Sequence, residues 1–457
     1  MLIFMDEKRL MDALSSLCET LQKNNQIDPV YFEKYGVKRG LRNADGSGVL
    51  AGLTRICSVH GYVINDAEKV PVDGKLFYRG YDLKDIVESC EKEHRFCFEE
   101  VCWLLLFGTL PTKSQLDGLC NLLGELRELP QYFAEDMIIK APSPNIMNKM
   151  ARSVLALYSY DQNPEDPSLQ NLLRQALLLI ARMPAIMGYS YQVKRRHYDK
   201  QSMFFHPINT KHSTAEMILA SIRADRQYTP EEAQLLDLCL TLHAEHGGGN
   251  NSTFTTRVLA SSGTDTYSII AGAIGSLKGP RHGGANAKVA EMLEYIKQGV
   301  KHWDHDDEVA DFLGKLIDKK AGDRSGLIYG MGHAVYTLSD PRAVILKKYA
   351  RGLAEKKGFG EELALLESIE RLAPQVFAAK KGDSKIICAN VDLYSGFVYR
   401  TLGIPSELFT PLFAVARTSG WCAHRIEEAL TGNRIIRPAY KSMFSHTLEY
   451  VPLDQRG

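Results

Sequence analysis

Apolar residues recur at intervals of three or four along most of this chain. Leu10, Leu14, Leu17 and Leu21 keep that spacing near the front, and Leu172, Ala176, Leu179 and Met183 keep it further on. Val289, Met292, Leu293 and Ile296 repeat it directly after a pair of glycines. A period near 3.6 lines one face of a helix with apolar groups, so the pattern predicts a mainly α protein. The exception lies near the front. Leu53 to Ile64 is rich in Val, Ile, Thr and Tyr, and Val70 to Tyr78 follows with Asp73-Gly74 inside it. Asp-Gly is a common type I′ turn, so a small β-hairpin is expected ahead of the helical body.

Three glycine-bearing stretches interrupt the helical pattern and bring in chemistry. They are Gly279-Pro280-Arg281-His282-Gly283-Gly284-Ala285-Asn286, Gly330-Met331-Gly332-His333-Ala334-Val335 running on to Asp340-Pro341-Arg342, and Asn390-Val391-Asp392-Leu393-Tyr394-Ser395-Gly396. Glycine lets backbone approach a ligand closely. A base, two polarisable proton donors and an arginine together suggest proton abstraction next to a carbonyl, with the oxyanion stabilised as it forms.

Each stretch also has a plainer reading. His282 precedes a helix predicted from Ala285, where the helix dipole favours neutral imidazole; a capping or core histidine is the alternative. His333 and Arg342 flank a glycine turn that suits a dicarboxylate or phosphate-bearing ligand, or else an ordinary turn with a surface arginine. Asp392 follows the apolar run Ile386-Ile387-Cys388-Ala389, which makes it a hydrogen-bonded or pKa-raised carboxylate, hence a base, or a helix N-cap. His243-Ala244-Glu245-His246-Gly247-Gly248-Gly249-Asn250-Asn251-Ser252 has metal-like His-x-x-His spacing, but its glycines and asparagines fit a substrate loop better. The cluster from His302 to Glu308 reads as a solvated, acid-rich helix start. Arg417, on or near a long helix, and Arg437, after an expected turn at Gly432-Asn433, read locally as surface charges.

Composition narrows the classes. At 457 residues the chain exceeds the ~250–300 at which single cores stop growing, so a second lobe is expected. By motif position the boundaries fall after His282 and before Asp392. That gives a large helical domain from 1–283 and 391–457 and a small one from 284–390. Lys+Arg and Asp+Glu both number 55, which argues against nucleic acid or a membrane surface as main partner. Nine cysteines without CxxC spacing read as reduced thiols. The apolar start Met1–Met5 is too short for a signal peptide, and no run approaches a membrane span of ~18 residues. A cytoplasmic protein is expected.

Together these stretches resemble citrate synthase of the common all-helical family, from roughly Gly40 to Tyr440. Leu76-Phe77-Tyr78-Arg79-Gly80-Tyr81 and Trp103-Leu104-Leu105-Leu106-Phe107-Gly108-Thr109-Leu110-Pro111-Thr112 add to the match, and the Gly-Met-Gly-His to Asp-Pro-Arg stretch resembles the family signature. The resemblance implies a two-domain helical homodimer that acts on oxaloacetate and acetyl-CoA, with no permanently bound cofactor and no metal. It implies Asp392 as base toward the acetyl-CoA methyl and His282 as donor to the thioester oxygen. His333 would polarise the ketone of oxaloacetate and protonate the new alkoxide. His246, Arg342, Arg417 and the partner subunit's Arg437 would hold oxaloacetate, and Leu327, Gly330 and Met331 would contact CoA. Ala334 stands where many bacterial members carry a basic residue, and the first fifty residues form an extension with little motif content. 2-Methylcitrate synthase, acting on propionyl-CoA, uses the same machinery; a metal-dependent hydrolase built on His243, His246 or the 302–308 cluster is the reading from another class.

Overall fold

The computed structural model describes residues 14, 17–19, 21–43, 45–65, 68–382, 386–432, 434–444 and 447–456. It divides into two compact units, Met1–Gly52 and Leu53–Gly457. The first holds helical turns at 17–19 and 21–24, a short helix α1 (Val30–Lys34) and a 3-10 turn at Arg39–Leu41. The predicted stripe there is helical in part, but Leu14, Leu17 and Leu21 are exposed, and Leu10 lies outside the described residues.

The second unit opens with a three-stranded antiparallel sheet, β1 (Cys57–Asn65), β2 (Glu68–Tyr78) and β3 (Tyr81–Asp82), in that order. The expected hairpin is present, but its turn is elsewhere. Asn65 pairs with Glu68, so Asp73-Gly74 is not the hairpin's turn; residues 66–67 lie outside the described residues. Asp73-Gly74 instead sits within β2 where the register slips opposite His60 and Tyr62. The reason is a tertiary contact. A Cβ on Gly74 would come 2.1 Å from the Ser339 carbonyl, and one on Gly61 2.5 Å from that of Val335. Gly74 N–H donates to Ser339 Oγ at 3.0 Å, and that hydroxyl donates to Asp73 at 3.0 Å. Glycine here brings the sheet against the 335–339 loop rather than turning a hairpin.

Helices follow: α2 (Leu83–Lys92), α3 (Phe98–Phe107), α4 (Lys113–Glu125), α5 (Ile146–Leu157) and α6 (Leu169–His197). Next come α7 (Thr214–Ile222), α8 (Pro230–His243), α9 (Asn251–Ser261), α10 (Thr266–Lys278) and α11 (Ala285–Gly299). The last five are α12 (Asp306–Ile317), α13 (Pro341–Lys356), α14 (Gly360–Lys381), α15 (Val391–Thr401) and α16 (Phe409–Thr431). The periodic residues of α6 and α11 are buried, as their spacing predicts.

Helix α16 is the axis of the core. It packs against α3, α6, α8, α9 and α10, and from Pro411 to Ile426 every side chain is buried. A helix buried all round is normally apolar all round, yet this one contains Arg417, His424 and Arg425. Burying such groups is costly unless they are paired or used, so α16 points to the site.

Candidate active site

Two of the three glycine stretches are joined by a short antiparallel pairing. Met331 bridges Ala389, Gly332 N–H donates to the Cys388 carbonyl at 2.7 Å, and Asn390 N–H donates to the Gly330 carbonyl at 2.9 Å. Gly330 has φ +82°, and a Cβ on it would sit 2.9 Å from Cα of Leu393, so only glycine permits this approach. Asn390 caps α15 by accepting from Asp392 N–H at 2.9 Å, while its own amide holds the Gly332 carbonyl at 2.9 Å. The cap is therefore Asn390, which leaves the Asp392 side chain for other work. Burial, partly offset by Arg342, pushes its carboxyl up to about 6, and its Oδ1 has no hydrogen-bond partner among the described residues.

His333 is held by its own loop. Its Nδ1 accepts from the backbone N–H of Val335 at 3.0 Å and of Tyr336 at 3.1 Å, so in the neutral ring the proton sits on Nε2. Tyr336 stacks on His333 with ring centroids 4.6 Å apart and contacts His246 Nε2 through its hydroxyl at 3.2 Å. The His246 ring stands edge-on to His333 at 5.2 Å. Burial, with the charges of Arg342 and its neighbours, keeps His246 neutral.

His282 lies in the turn just before α11, three residues ahead of its first residue. A Cβ on Gly283 would strike the Leu277 carbonyl at 2.5 Å, which is why the turn can close so tightly. Nε2 of His282 accepts from Ser252 N–H at 3.3 Å and lies 3.0 Å from Ser252 Oγ, at the start of α9. The ring proton is thus placed on Nδ1. Burial, aided by the charge of Arg417, lowers the imidazole to about 4. Ser252 is itself fixed by Trp421 Nε1 at 3.2 Å, on α16.

Two arginines are buried nearby, and they differ. Arg342 forms a two-point ion pair with Asp340, the N-cap of α13, through Nε at 3.1 Å and a terminal nitrogen at 2.8 Å. Burial opposes its charge, but Asp340 more than offsets this and the guanidinium is held firmly protonated. Asp340 also accepts from Val391 N–H at 3.2 Å, which fastens the Asp-Pro-Arg turn to the helix of Asp392. Arg417, fully buried, donates from Nε to the His243 carbonyl at 2.6 Å. Both its terminal nitrogens are buried without a hydrogen-bond partner among the described residues. The Phe413 ring lies 4.7 Å from this guanidinium and 4.5 and 6.5 Å from the rings of His243 and His282.

His243 donates from Nδ1 to the Cys239 carbonyl at 2.8 Å, and burial lowers it to about 3. It ends α8 rather than joining His246 in a ligand pair. The 302–308 cluster begins α12: Glu308 accepts from Lys301 and His302 N–H and from His302 Nδ1. Of the residues expected at CoA, Gly330 and Met331 lie in the pairing beside Asp392, and Leu327 is exposed. Arg437 is exposed on the extended tail after α16; Ile436 N–H is tied to Ser261 Oγ at 3.0 Å, at the far end of α9 from Ser252. Helix rise puts those ends roughly 14 Å apart. The turn expected at Gly432-Asn433 lies partly outside the described residues.

Sequence reasoning gave no role to Tyr336, Ser252 and Trp421, which position His246 and His282 directly or in turn, or to Asn286, whose amide is fully buried with no partner among the described residues; Ser252 and Asn286 stood only as members of two motif stretches. Asn286 carried a further signal, as a polar residue at a core-facing position of α11.

A helical fold that gathers two neutral imidazoles, a carboxylate of raised pKa and a buried guanidinium without a partner among the described residues has the groups that acid–base enzymes use. Comparison identifies which. A profile of the citrate synthase C-terminal domain matches residues 43–439. Citrate synthase of Synechocystis sp. is 34% identical over 414 residues, covering 90% of this chain and 93% of that protein. The 2-methylcitrate synthase of Shewanella oneidensis is 32% identical, covering 83% and 92%. Among solved structures, citrate synthase of Pyrobaculum aerophilum superposes with TM-score 0.71 at 30% identity, covering 90% and 94%. That of Thermoplasma acidophilum, a ternary complex with carboxymethyl coenzyme A and oxaloacetate, gives 0.73 at 26%, covering 92% and 99%. The chain belongs to the citrate synthase family. It is an enzyme of the condensing acyltransferase kind.

Proposed function

We propose that this enzyme condenses acetyl-CoA with oxaloacetate and hydrolyses the resulting citryl-CoA to citrate and CoA. The observation that carries the reading is Arg417: a fully buried guanidinium whose two terminal nitrogens find no partner in the described protein calls for a carboxylate. Arg342, and in a dimer the partner's Arg437, complete the charge that oxaloacetate and citrate require. His246, edge-on to His333, helps hold oxaloacetate.

Asp392 removes a proton from the acetyl methyl. A carboxylate near 6 is a stronger base than an ordinary one, but a thioester methyl still needs its enolate met as it forms. His282 meets it with Nδ1–H. The enolate carbon then attacks the ketone carbon of oxaloacetate, while His333 donates from Nε2 and protonates the new alkoxide. Water cleaves the thioester, releasing CoA as free thiol. Gly330 and Met331, with Leu327 ahead of them, contact CoA, and no resident cofactor or metal takes part.

We assign residues 284–390 to the smaller domain and the segments around it to the larger, with closure excluding water during condensation. Within that segment α12 and α13 pack on α14, while α11 and α13 also pack on α15 beyond its end. A homodimer is supported by the tail beyond α16, where Tyr440, Phe444, Leu448, Tyr450 and Leu453 are all exposed. The nine cysteines are all free, and no helix among the described residues is long and apolar enough to cross a membrane; we place the enzyme in the cytoplasm.

Mixing the protein with oxaloacetate and acetyl-CoA should release thiol; no release with either acetyl- or propionyl-CoA would refute the assignment. Because relatives include 2-methylcitrate synthases, the ratio of kcat/KM for the two thioesters fixes the acyl preference, which one methylene alters by ~1–3 kcal/mol. Co-folding Arg437→Gln and Asp392→Asn subunits tests the shared site. Each homodimer should be inactive, and random pairing should restore about a quarter of the sites.

A further inference from the structure

A row of polar side chains runs along α16 away from the carboxylate pocket. Arg417, Gly420, His424, Glu427 and Glu428 recur at helical spacing and so share one face. Facing them are Glu245, just beyond α8, and Arg257 on α9. A Cβ on Gly420 would meet Glu245 Oε2 at 2.3 Å, which seats that carboxylate one helical turn from Arg417. Glu245 Oε1 accepts from Gly247 N–H at 2.6 Å and lies 3.1 Å from His424 Nε2. His424 Nδ1 accepts from Arg257 Nε at 3.0 Å, which leaves its Nε2–H to donate to Glu245. Arg257 in turn pairs with Glu428 at 2.9 Å and with Glu427. Glu245 and His424 are completely buried.

Signs alternate along this row, from Arg417 to Glu245, across His424 to Arg257, and on to the two terminal glutamates. Arg257 is paired with Glu427 and Glu428, which leaves Glu245 as the carboxylate whose field falls on Arg417. Burial alone would make Glu245 hard to ionise, but His424, Arg417 and the Gly247 amide outweigh it and hold the carboxyl below its usual range.

We propose that Glu245 is the resident counter-charge of Arg417, a positioning residue kept in place by His424 and Arg257. It stabilises the buried guanidinium before a dicarboxylate arrives, and its negative charge then opposes the ligand, most strongly the tricarboxylate product. The site thus gives up some affinity and gains release of citrate. This inference rests on the assignment of Arg417 to an oxaloacetate carboxylate.

Glu245→Gln retains the shape and the acceptor facing His424 and Gly247 while removing the charge. Calorimetric titration should find oxaloacetate bound about tenfold tighter than by wild type. Citrate inhibition should strengthen by a larger factor, and KM for acetyl-CoA should not change. Arg257→Gln should move oxaloacetate the other way, about threefold weaker, because the charge of Glu245 is then less balanced. Unchanged or weaker binding by Glu245→Gln, with normal binding by wild type, overturns the proposal alone. Should that variant not fold, Arg257→Gln decides, and equal or tighter binding overturns it. Wild-type protein that binds no oxaloacetate would remove the assigned function and this inference with it.

Discussion

His282 and His333 are held in opposite ways. His333 takes its tautomer from its own loop, since the Val335 and Tyr336 amides both point at Nδ1. His282 takes its tautomer from another segment, the Ser252 amide at the start of α9, which Trp421 on α16 steadies in turn. One ring therefore offers Nε2–H and the other Nδ1–H, and neither needs to be charged. Local backbone specifies the first donor, and packing between helices specifies the second. The His282 donor should accordingly be the more sensitive to changes outside its own motif.

The largest expected effect removes the acid–base partners themselves. Asp392→Ala and His282→Ala should each lower kcat about 10³-fold or more with the fold intact, read by thiol release and circular dichroism. Full activity in either would end its assigned role and the contrast with it. Next come the arginines, where the same kind of comparison applies. Arg417→Gln should raise KM for oxaloacetate about a hundredfold, since the lost contacts are made only with ligand. Arg342→Gln should raise it less but lower Tm more, because it strands the buried Asp340.

A smaller effect separates the two stations directly. Ser252→Ala keeps the amide but loses the hydroxyl, and should lower kcat about tenfold with KM for oxaloacetate unchanged. An equal loss from changes around Val335 would show that the stations are not held differently.

The pH dependence sharpens the assignment of the base. Asp392 must be ionised and His282 neutral, and their pKa values of about 6 and about 4 put only Asp392 in the way above pH 4. kcat/KM should fall tenfold per pH unit below about 6. Sign follows for stability too. A carboxyl raised from 3.8 to about 6 holds its proton more tightly folded than unfolded, so its ionisation destabilises the fold as pH rises through that window. Asp392→Asn should then be more stable than wild type at pH 7–8, by up to roughly 2–3 kcal/mol, with the gain vanishing below pH 4. Equal Tm values across that range would mean that Asp392 is not desolvated.

Much of this protein is legible in its sequence because the physics involved is local. Helical period needs only neighbours three and four residues away, so α6 and α11 could be read directly with their buried faces. The histidines, the aspartate and the glycines around them stood out because few conformations other than close approach require such runs. What the sequence could not reveal depends on groups far apart along the chain. Asp73-Gly74 looked like a turn, yet it is a bulge because Ser339 presses on it. Arg417 looked like a surface charge, and only the packing of helices around α16 shows it buried, its terminal nitrogens without partners among the described residues. Ser252, Tyr336 and the Glu245–His424–Arg257 row acquire meaning only through hydrogen bonds spanning 30 to 179 residues. Patterns of polarity choose the helices, but tautomers, ion pairs and desolvation are set by which helices meet, and that is decided in three dimensions.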